Sequence, residues 1–155
     1  MNRKTIKISF IAVLVTTAVV FYFAMSEYRR KHKDIAVMSE EFTLSSHEIL
    51  HSFSRDEKEA NSRFLDKVIS VTGIVKSVDR DDEGGFTIVL GDSISMSSVR
   101  CSIDSNHNAE AAMVLTGANL SVKGVCSGYY SDELLGSDVV LNRGAIKNYS
   151  SFKPN

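Results

Sequence analysis

An uncharged apolar run near the N terminus constrains this chain most, because few environments accept such a segment. Residues 8–25 contain no charged side chain, and only Ser9, Thr16 and Thr17 interrupt their apolar character. At ~1.5 Å per residue, a helix of this length reaches about 27 Å, enough to cross the hydrocarbon core of a bilayer. The run therefore predicts a membrane anchor through residues 8–25.

The flanks of this run leave cleavage and orientation open. Ala24 and Ser26 have the small side chains that a signal-peptide cleavage site requires, so secretion after cleavage is the alternative to a retained anchor. We favour retention because the run is long for a signal peptide and a basic cluster follows it at once. The flanking basic residues are Arg3, Lys4 and Lys7 before the run and Arg29, Arg30, Lys31 and Lys33 after it. This near balance gives the positive-inside rule no clear bias.

The charges divide unevenly along the chain. Residues 1–34 hold seven of the 18 Lys and Arg but only two of the 19 Asp and Glu, which leaves 11 basic and 17 acidic residues in the remainder. The body therefore carries a net charge of −6, although the whole chain has −1. An acidic body repels phosphate, so the composition disfavours nucleic acid as a partner.

Helical spacing begins after residues 35–43, which we interpret as a linker. Ser45 with Glu48 matches a capping box, and Ser54 with Glu57 matches a second one. Apolar residues continue the helical period at Leu44, Ile49, Leu50, Phe53, Ala60, Phe64 and Leu65. The segment predicts a bent or double amphipathic helix.

From residue 68 the apolar period changes to two, which is typical of strands. We predict strands over 68–78, 86–90, 98–103, 120–126 and 138–146, with a hairpin turn at 82–85 and a short helix over 106–115. Five strands with a helix between the third and fourth have the connectivity of an OB-fold barrel. Gly73 permits the sharp bend or bulge that the long first strand needs. An open sheet packed on the N-terminal helix is the alternative fold.

Three stretches carry a family resemblance: ANSRFLDKVISVTGIV from residue 60, LTGANLSVKGVCSG from residue 115 and VVLNRGAI from residue 139. With them, residues 45–146 resemble the tRNA-anti-like group of OB-fold proteins, often found in bacteria behind an N-terminal membrane anchor. The resemblance implies an OB-fold and an exported domain. The family commonly has a third cysteine in the last strand, where this chain has Gly144, so no disulfide or metal role is carried over to the cysteines.

One motif has the form of a zinc site. Residues 47–51 read His-Glu-Ile-Leu-His, an H-E-x-x-H pattern in which two histidines bind Zn²⁺ and the glutamate acts as a general base. Glu57 falls where an extended pattern places its third ligand, so His47, His51 and Glu57 are the candidate metal ligands. On a helical wheel, however, the apolar stripe lies away from both imidazoles. We therefore expect a solvated helix face, with a zinc hydrolase as a less favoured alternative.

The remaining candidate residues lie on the predicted strands and the last loop. Tyr129, Tyr130 and Arg100 are the candidate ligand-binding residues, since they belong to the usual OB binding face or its rim. Cys101 and Cys126 share the parity of core residues and predict buried thiols, with a disulfide between them as the open alternative.

These observations predict a non-enzymatic, membrane-anchored OB-fold module that binds an unidentified protein or small ligand and needs no cofactor. The proposed divisions are an anchor over 1–34, a linker over 35–43, a helix plus OB-fold domain over 44–148 and a tail over 149–155. The family habit places the domain on the extracytoplasmic, periplasmic side. A nucleic-acid-binding OB domain is the main alternative function.

Overall fold

The computed structural model describes residues 16–23, 25, 34–132 and 136–150. The chain divides into two compact units, residues 1–33 and 34–155. In the first unit, residues 16–23 and 25 are helical and exposed. The rest of the predicted anchor, including Ala24 of the cleavage alternative, lies outside the described residues, as do Ser26 and residues 151–155 of the tail. Within the described residues, no helix combines the length and hydropathy needed to span a bilayer.

The described part of the second unit is mainly strand. Its strands are β1 (Phe42–Ser45), β2 (Val68–Arg80), β3 (Phe86–Leu90), β4 (Ser98–Ile103), β5 (Asn119–Asp132) and β6 (Gly136–Ser150). Its helices are α1 (Ser46–Arg55), α2 (Glu57–Phe64) and α3 (Asn108–Ala111), and 3-10 turns occupy Ile35–Val37 and Ser105–His107. The predicted helix over 106–115 is thus a 3-10 turn followed by a single α-helical turn.

The strands close a ring of hydrogen bonds. Their order is β1-β2-β3-β4-β6-β5, and β2 also pairs with β5. The β4–β6 pair is parallel, and the other pairs within the ring are antiparallel. This is the predicted OB-fold connectivity, and the alternative of an open sheet is wrong because the β2–β5 pairing closes β2, β3, β4, β6 and β5 into a ring.

A sixth strand, β1, was not expected from the sequence. It lies parallel to β2, opposite Ile69–Thr72, and the Glu41 N–H donates to the Val68 carbonyl at 2.8 Å. The Phe42 ring packs edge-on against Phe64, with centroids 5.2 Å apart. Residues interpreted as a linker therefore belong to the packed unit, because these distant partners supply the hydrogen bonds and apolar contacts of a strand.

Residues 34–41 form an N-terminal strap that packs against β2, β5 and β6. Ile35, 1% exposed, joins Val68 and Ala145 in a small apolar cluster. The Lys123 ammonium donates to the carbonyls of Ala36 and Met38, both at 2.8 Å. Two interactions thus hold the strap to the ring: apolar burial, and hydrogen bonds from a lysine that is itself buried.

Gly73 has a different local role from the one expected. The register of β2 against β3 shifts between Val75 and Ser77, so the predicted irregularity is a bulge at Lys76. At Gly73 itself, a Cβ would lie 2.6 Å from the Ser46 hydroxyl oxygen and 3.0 Å from the Ser46 Cβ, which cannot rotate away. Glycine is thus required there because the first turn of α1 approaches the β2 backbone closely.

The double amphipathic helix is confirmed. Ser45 and Glu48 form the predicted capping box of α1. The second predicted capping box, Ser54 with Glu57, is wrong, because the Ser54 hydroxyl donates to the His51 carbonyl. The N-cap of α2 is Asp56, two residues later, and its side chain accepts from the Glu59 N–H. Phe53 of α1 and Phe64 of α2 are both 1% exposed and belong to the main core inside the ring.

Candidate functional site

A groove of about 1120 Å³ lies beside α1. One wall is the face of α1 that carries His47, Leu50, His51 and Ser54. The opposite wall is the β3–β4 loop, residues 91–97, and β2 contributes residues 72–74 between them. We call this surface the α1 groove.

The lining of the α1 groove is rich in hydroxyl groups. Among the described residues, Glu48 and Asp92 are its charged side chains, and it contains no Lys or Arg. Its serines are Ser45, Ser46, Ser54, Ser93, Ser95, Ser97 and Ser137. Such a lining offers many hydrogen-bond donors and acceptors, together with two carboxylates.

Glu48 carries a fixed negative charge at one end of the α1 groove. Its carboxylate accepts from the Ser45 backbone N–H at 2.7 Å and from the Ser45 hydroxyl at 2.8 Å. These hydrogen bonds, the backbone one above all, hold the pKa of the Glu48 carboxyl below its usual range. Glu48 is therefore ionised at neutral pH.

The β3–β4 loop is held in place by Lys76, the residue at the β2 bulge. Its ammonium donates to the Ser95 carbonyl at 2.7 Å and to the Ser98 hydroxyl at 2.8 Å. Within the loop, the Asp92 carboxylate accepts from the Ile94 N–H at 3.1 Å. The serines of this wall thus lie on a positioned backbone.

The two histidines of the H-E-x-x-H motif line the α1 groove. As expected, both are exposed, because α1 buries Ile49 and Phe53 on its other face. Their rings stack with centroids 6.2 Å apart and planes 16° from parallel.

Glu57 does not join the two histidines. It lies at the start of α2, is exposed, and accepts from the Asn61 side-chain amide at 3.4 Å. Within the described residues, no group of three or more His, Cys, Asp and Glu side chains is placed to share one metal ion. The predicted three-residue ligand set is therefore not brought together.

Tyr129 and Tyr130 have different environments, since Tyr129 packs against the core and Tyr130 is exposed to solvent. Tyr129 stacks on Phe53, with ring centroids 5.2 Å apart and planes 17° from parallel, and it also contributes to the α1 groove. Tyr130 is 61% exposed. Only Tyr129 therefore joins the surface that we identify as the candidate site.

Arg100 lies on the outer face of β4, away from the α1 groove lining. Its guanidinium contacts Asp79 of β2 at 3.2 Å and Asp138 of β6 at 4.0 Å. Arg100 was the cation predicted on the usual OB binding face, and the two carboxylates beside it offset its charge.

Cys101 and Cys126 are free and buried. Cys101 on β4 and Cys126 on β5 both lie opposite Leu141 of β6, which runs between these two strands. Two interstrand spacings therefore separate the cysteines. That separation is about 10 Å between Cα atoms, beyond the ~7 Å limit for a disulfide. Burial raises the pKa of the Cys101 thiol to about 12. A Cβ at Gly144 would overlap Cys101 Sγ, which leaves no room for the family's third cysteine.

Sequence reasoning missed the β3–β4 loop as a wall of the site. Its sequence, GDSISMS, contains three serines at alternating positions, and these are the residues that face the groove. The alternation was the available signal, although it does not reveal which helix the loop faces.

Several solved structures are similar to this chain to different degrees. A lipoprotein from Klebsiella pneumoniae, described as a candidate nucleic acid-binding protein, matches with a TM-score of 0.55 and 18% identity over 76% of this chain and 100% of that chain. An asparaginyl-tRNA synthetase from Pyrococcus horikoshii matches with a TM-score of 0.39 and 17% identity over 57% of this chain and 21% of that chain.

A protein from Leishmania major, described as a candidate aspartyl-tRNA synthetase, matches with a TM-score of 0.44 and 11% identity over 79% of this chain and 22% of that chain. This chain thus spans about a fifth of either synthetase. No curated protein matches the sequence. The model of the tRNA_anti-like family matches residues 1–141, most of the chain. The chain therefore belongs to the tRNA_anti-like family, as the resemblance of its motifs predicted.

Proposed function

We propose that this protein is a non-enzymatic binding module whose α1 groove takes an extended polypeptide segment of uncharged or basic character. The observation that carries this proposal is the groove lining, which combines seven serines with two carboxylates and no Lys or Arg among the described residues. Serine hydroxyls both donate to and accept from a peptide backbone. Carboxylates favour a basic side chain and repel an acidic one.

The geometry of Glu48 supports a non-enzymatic role. A hydrolase built on the H-E-x-x-H motif needs this carboxylate as a general base that faces a bound water. Here the Ser45 N–H and hydroxyl both donate to it, at 2.7 and 2.8 Å. The residue therefore serves the capping box of α1.

Nucleic-acid binding is the alternative, and the description of the Klebsiella lipoprotein is the observation in its favour. At 18% identity that likeness concerns the fold. The charges of this chain oppose the alternative, since Arg100 lies between two aspartates and the body carries −6. Phosphate binding needs unpaired cations that release counterions.

One binding experiment separates the two functions. The full chain in detergent is titrated into labelled probes of equal length: a Lys/Ser peptide, a Glu/Ser peptide, a poly(dT) and a poly(rU) oligonucleotide. We expect fluorescence polarisation to rise with the basic peptide and to stay flat with the acidic peptide and both oligonucleotides. Asp92→Asn should weaken peptide binding, whereas Asp82→Asn in the exposed β2–β3 hairpin should not.

Two results would overturn the proposed function. One is oligonucleotide binding at physiological salt with a dissociation constant below ~100 µM that weakens steeply with added salt, because that is the signature of phosphate contacts. The other is peptide binding that is equally strong in wild type and Asp92→Asn, which would place the peptide outside the α1 groove.

We also propose that residues 8–25 anchor the protein in a membrane, with residues 34–155 on the extracytoplasmic side. The support is the uncharged apolar run itself. We expect the full chain to remain in the membrane fraction after a high-salt wash, since burial of apolar residues is insensitive to ionic screening. A topology reporter fused after Asn155 should be active only outside the cytoplasm. Release of a fragment beginning near residue 27 would instead establish cleavage.

A further inference from the structure

His47 and His51 have no assigned role in the proposed peptide binding, yet they are arranged as a pair. They lie one helical turn apart on α1, both are exposed, and their rings are nearly parallel at 6.2 Å. Side chains four residues apart project from the same face of a helix. From this geometry we propose that His47 and His51 form a two-histidine site for a divalent transition-metal ion, at the rim of the α1 groove.

The backbone of the site is already rigid. The capping box fixes the first turn of α1, and the burial of Ile49 and Phe53 holds the opposite face of the helix against the core. Metal binding then requires only rotation of two exposed imidazoles until one nitrogen of each lies ~2.0–2.1 Å from the ion. Binding therefore costs little conformational entropy of the backbone, and this favours affinity.

The local charges favour a cation overall. The N-terminal end of a helix opposes positive charge, since its free N–H groups carry partial positive charge. The Glu48 carboxylate opposes that effect, since the Ser45 N–H and hydroxyl hold it in the same turn. Asp92 adds a second carboxylate on the facing wall, and the lining holds no Lys or Arg among the described residues.

Two protein ligands leave several coordination positions for water or for a donor on a molecule in the groove. Neither Glu57 nor Asp92 completes the set, since Glu57 lies on α2 and Asp92 accepts from Ile94 within its own loop. Imidazole ligands suit Cu²⁺, Ni²⁺ and Zn²⁺, and affinity is highest for Cu²⁺ in the Irving–Williams order. We therefore assign the site to these ions, with Cu²⁺ held most tightly.

The chain offers matched controls for this assignment. It contains four histidines, of which His32 and His107 are outside the pair. The His107 side chain is 13% exposed, and its Nε2 is hydrogen-bonded to Asp34 at 2.9 Å. Glu57→Ala tests whether the motif's third position takes part.

The experiment is a titration of the untagged full chain, in detergent at neutral pH, with Cu²⁺, Ni²⁺ or Zn²⁺ alone. Calorimetry should give one Cu²⁺ per chain with a dissociation constant in the micromolar range and weaker binding of the other two ions. Electron paramagnetic resonance should show nitrogen ligation. His47→Ala and His51→Ala should each weaken Cu²⁺ binding by about tenfold or more, because losing a ligand should cost at least as much as losing a group that orients one.

His32→Ala, His107→Ala and Glu57→Ala should leave Cu²⁺ binding unchanged. Wild-type affinity in the millimolar range, or full binding by the His47→Ala/His51→Ala double variant, would overturn the assignment. Loss of binding in Glu57→Ala would overturn the two-histidine form of the site. Thermal melting of each variant confirms that it is folded. Peptide binding is measured without metal, so failure of the groove proposal and failure of the metal proposal are distinguishable.

Discussion

Replacing Phe53 with Ala should lower the free energy of unfolding by about 3–5 kcal/mol, the usual loss when a buried phenylalanine is truncated. Phe53 is 1% exposed, and its ring stacks on Tyr129 at 5.2 Å and lies 6.0 Å from Phe64. The residue thus joins α1, α2 and β5 in a single aromatic cluster. Chemical unfolding of the full chain, followed by circular dichroism, measures the change.

The matched control for Phe53→Ala lies on the other face of the same helix. His47→Ala/His51→Ala removes two exposed rings and should change the free energy of unfolding by about 0.5 kcal/mol or less. The contrast separates core packing from helix propensity, since all three substitutions introduce alanine into α1. A loss below ~1 kcal/mol for Phe53→Ala would contradict the role of Phe53 as the anchor of α1.

Replacing Lys123 with Met should destabilise the N-terminal strap by about 1–3 kcal/mol, because it leaves two part-buried strap carbonyls without their donor. Lys123 is 6% exposed and bonds to the carbonyls of Ala36 and Met38, and it also lies 3.5 Å from the Glu40 carboxylate. We expect hydrogen exchange to accelerate at the strap amides that the fold protects. These are the N–H groups of Val37, Met38 and Glu41.

Lys147→Met is the control for the strap. Lys147 pairs with the same Glu40 carboxylate, but its side chain is 36% exposed, so its loss should cost less than ~1 kcal/mol. The amides of β3 and β4 should keep their protection in both variants, since both lysines hydrogen-bond to residues of the strap. Equal exchange at the strap in the two variants would show that Lys123 has no special role.

The local pattern of the sequence was sufficient to locate the five strands of the ring and the two helices before it. The last two strands run further than the predicted 120–126 and 138–146, because β5 extends to Asp132 and β6 begins at Gly136, so Tyr129 and Tyr130 lie on β5 and not in a loop. Strands β3 and β4 occupy the predicted residues 86–90 and 98–103, because side-chain alternation is a property of consecutive residues. The capping box of Ser45 with Glu48 and the burial of Phe53 were also predictable, since each depends on spacings of three or four residues. The order of these elements, five strands with a helix between the third and the fourth, then indicated the OB-fold connectivity. Family motifs over residues 60–75, 115–128 and 139–146 pointed to the same fold.

Contacts between distant residues decided the rest. Residues 42–45 form a strand only because β2 offers an edge that β3 does not reach, so no local pattern marks them. Lysine is usually found on the surface of a protein. Lys123 is buried because the strap, more than 80 residues earlier in the chain, covers it and accepts its hydrogen bonds through two carbonyl oxygens. The α1 groove likewise joins His47 and His51 to a serine loop that begins 40 residues after the second histidine. The sequence by itself therefore determined the strands of the ring, the two helices before them and their order. The tertiary structure alone decided β1, the strap and the groove, because hydrogen bonds and burial depend on which surfaces meet in space.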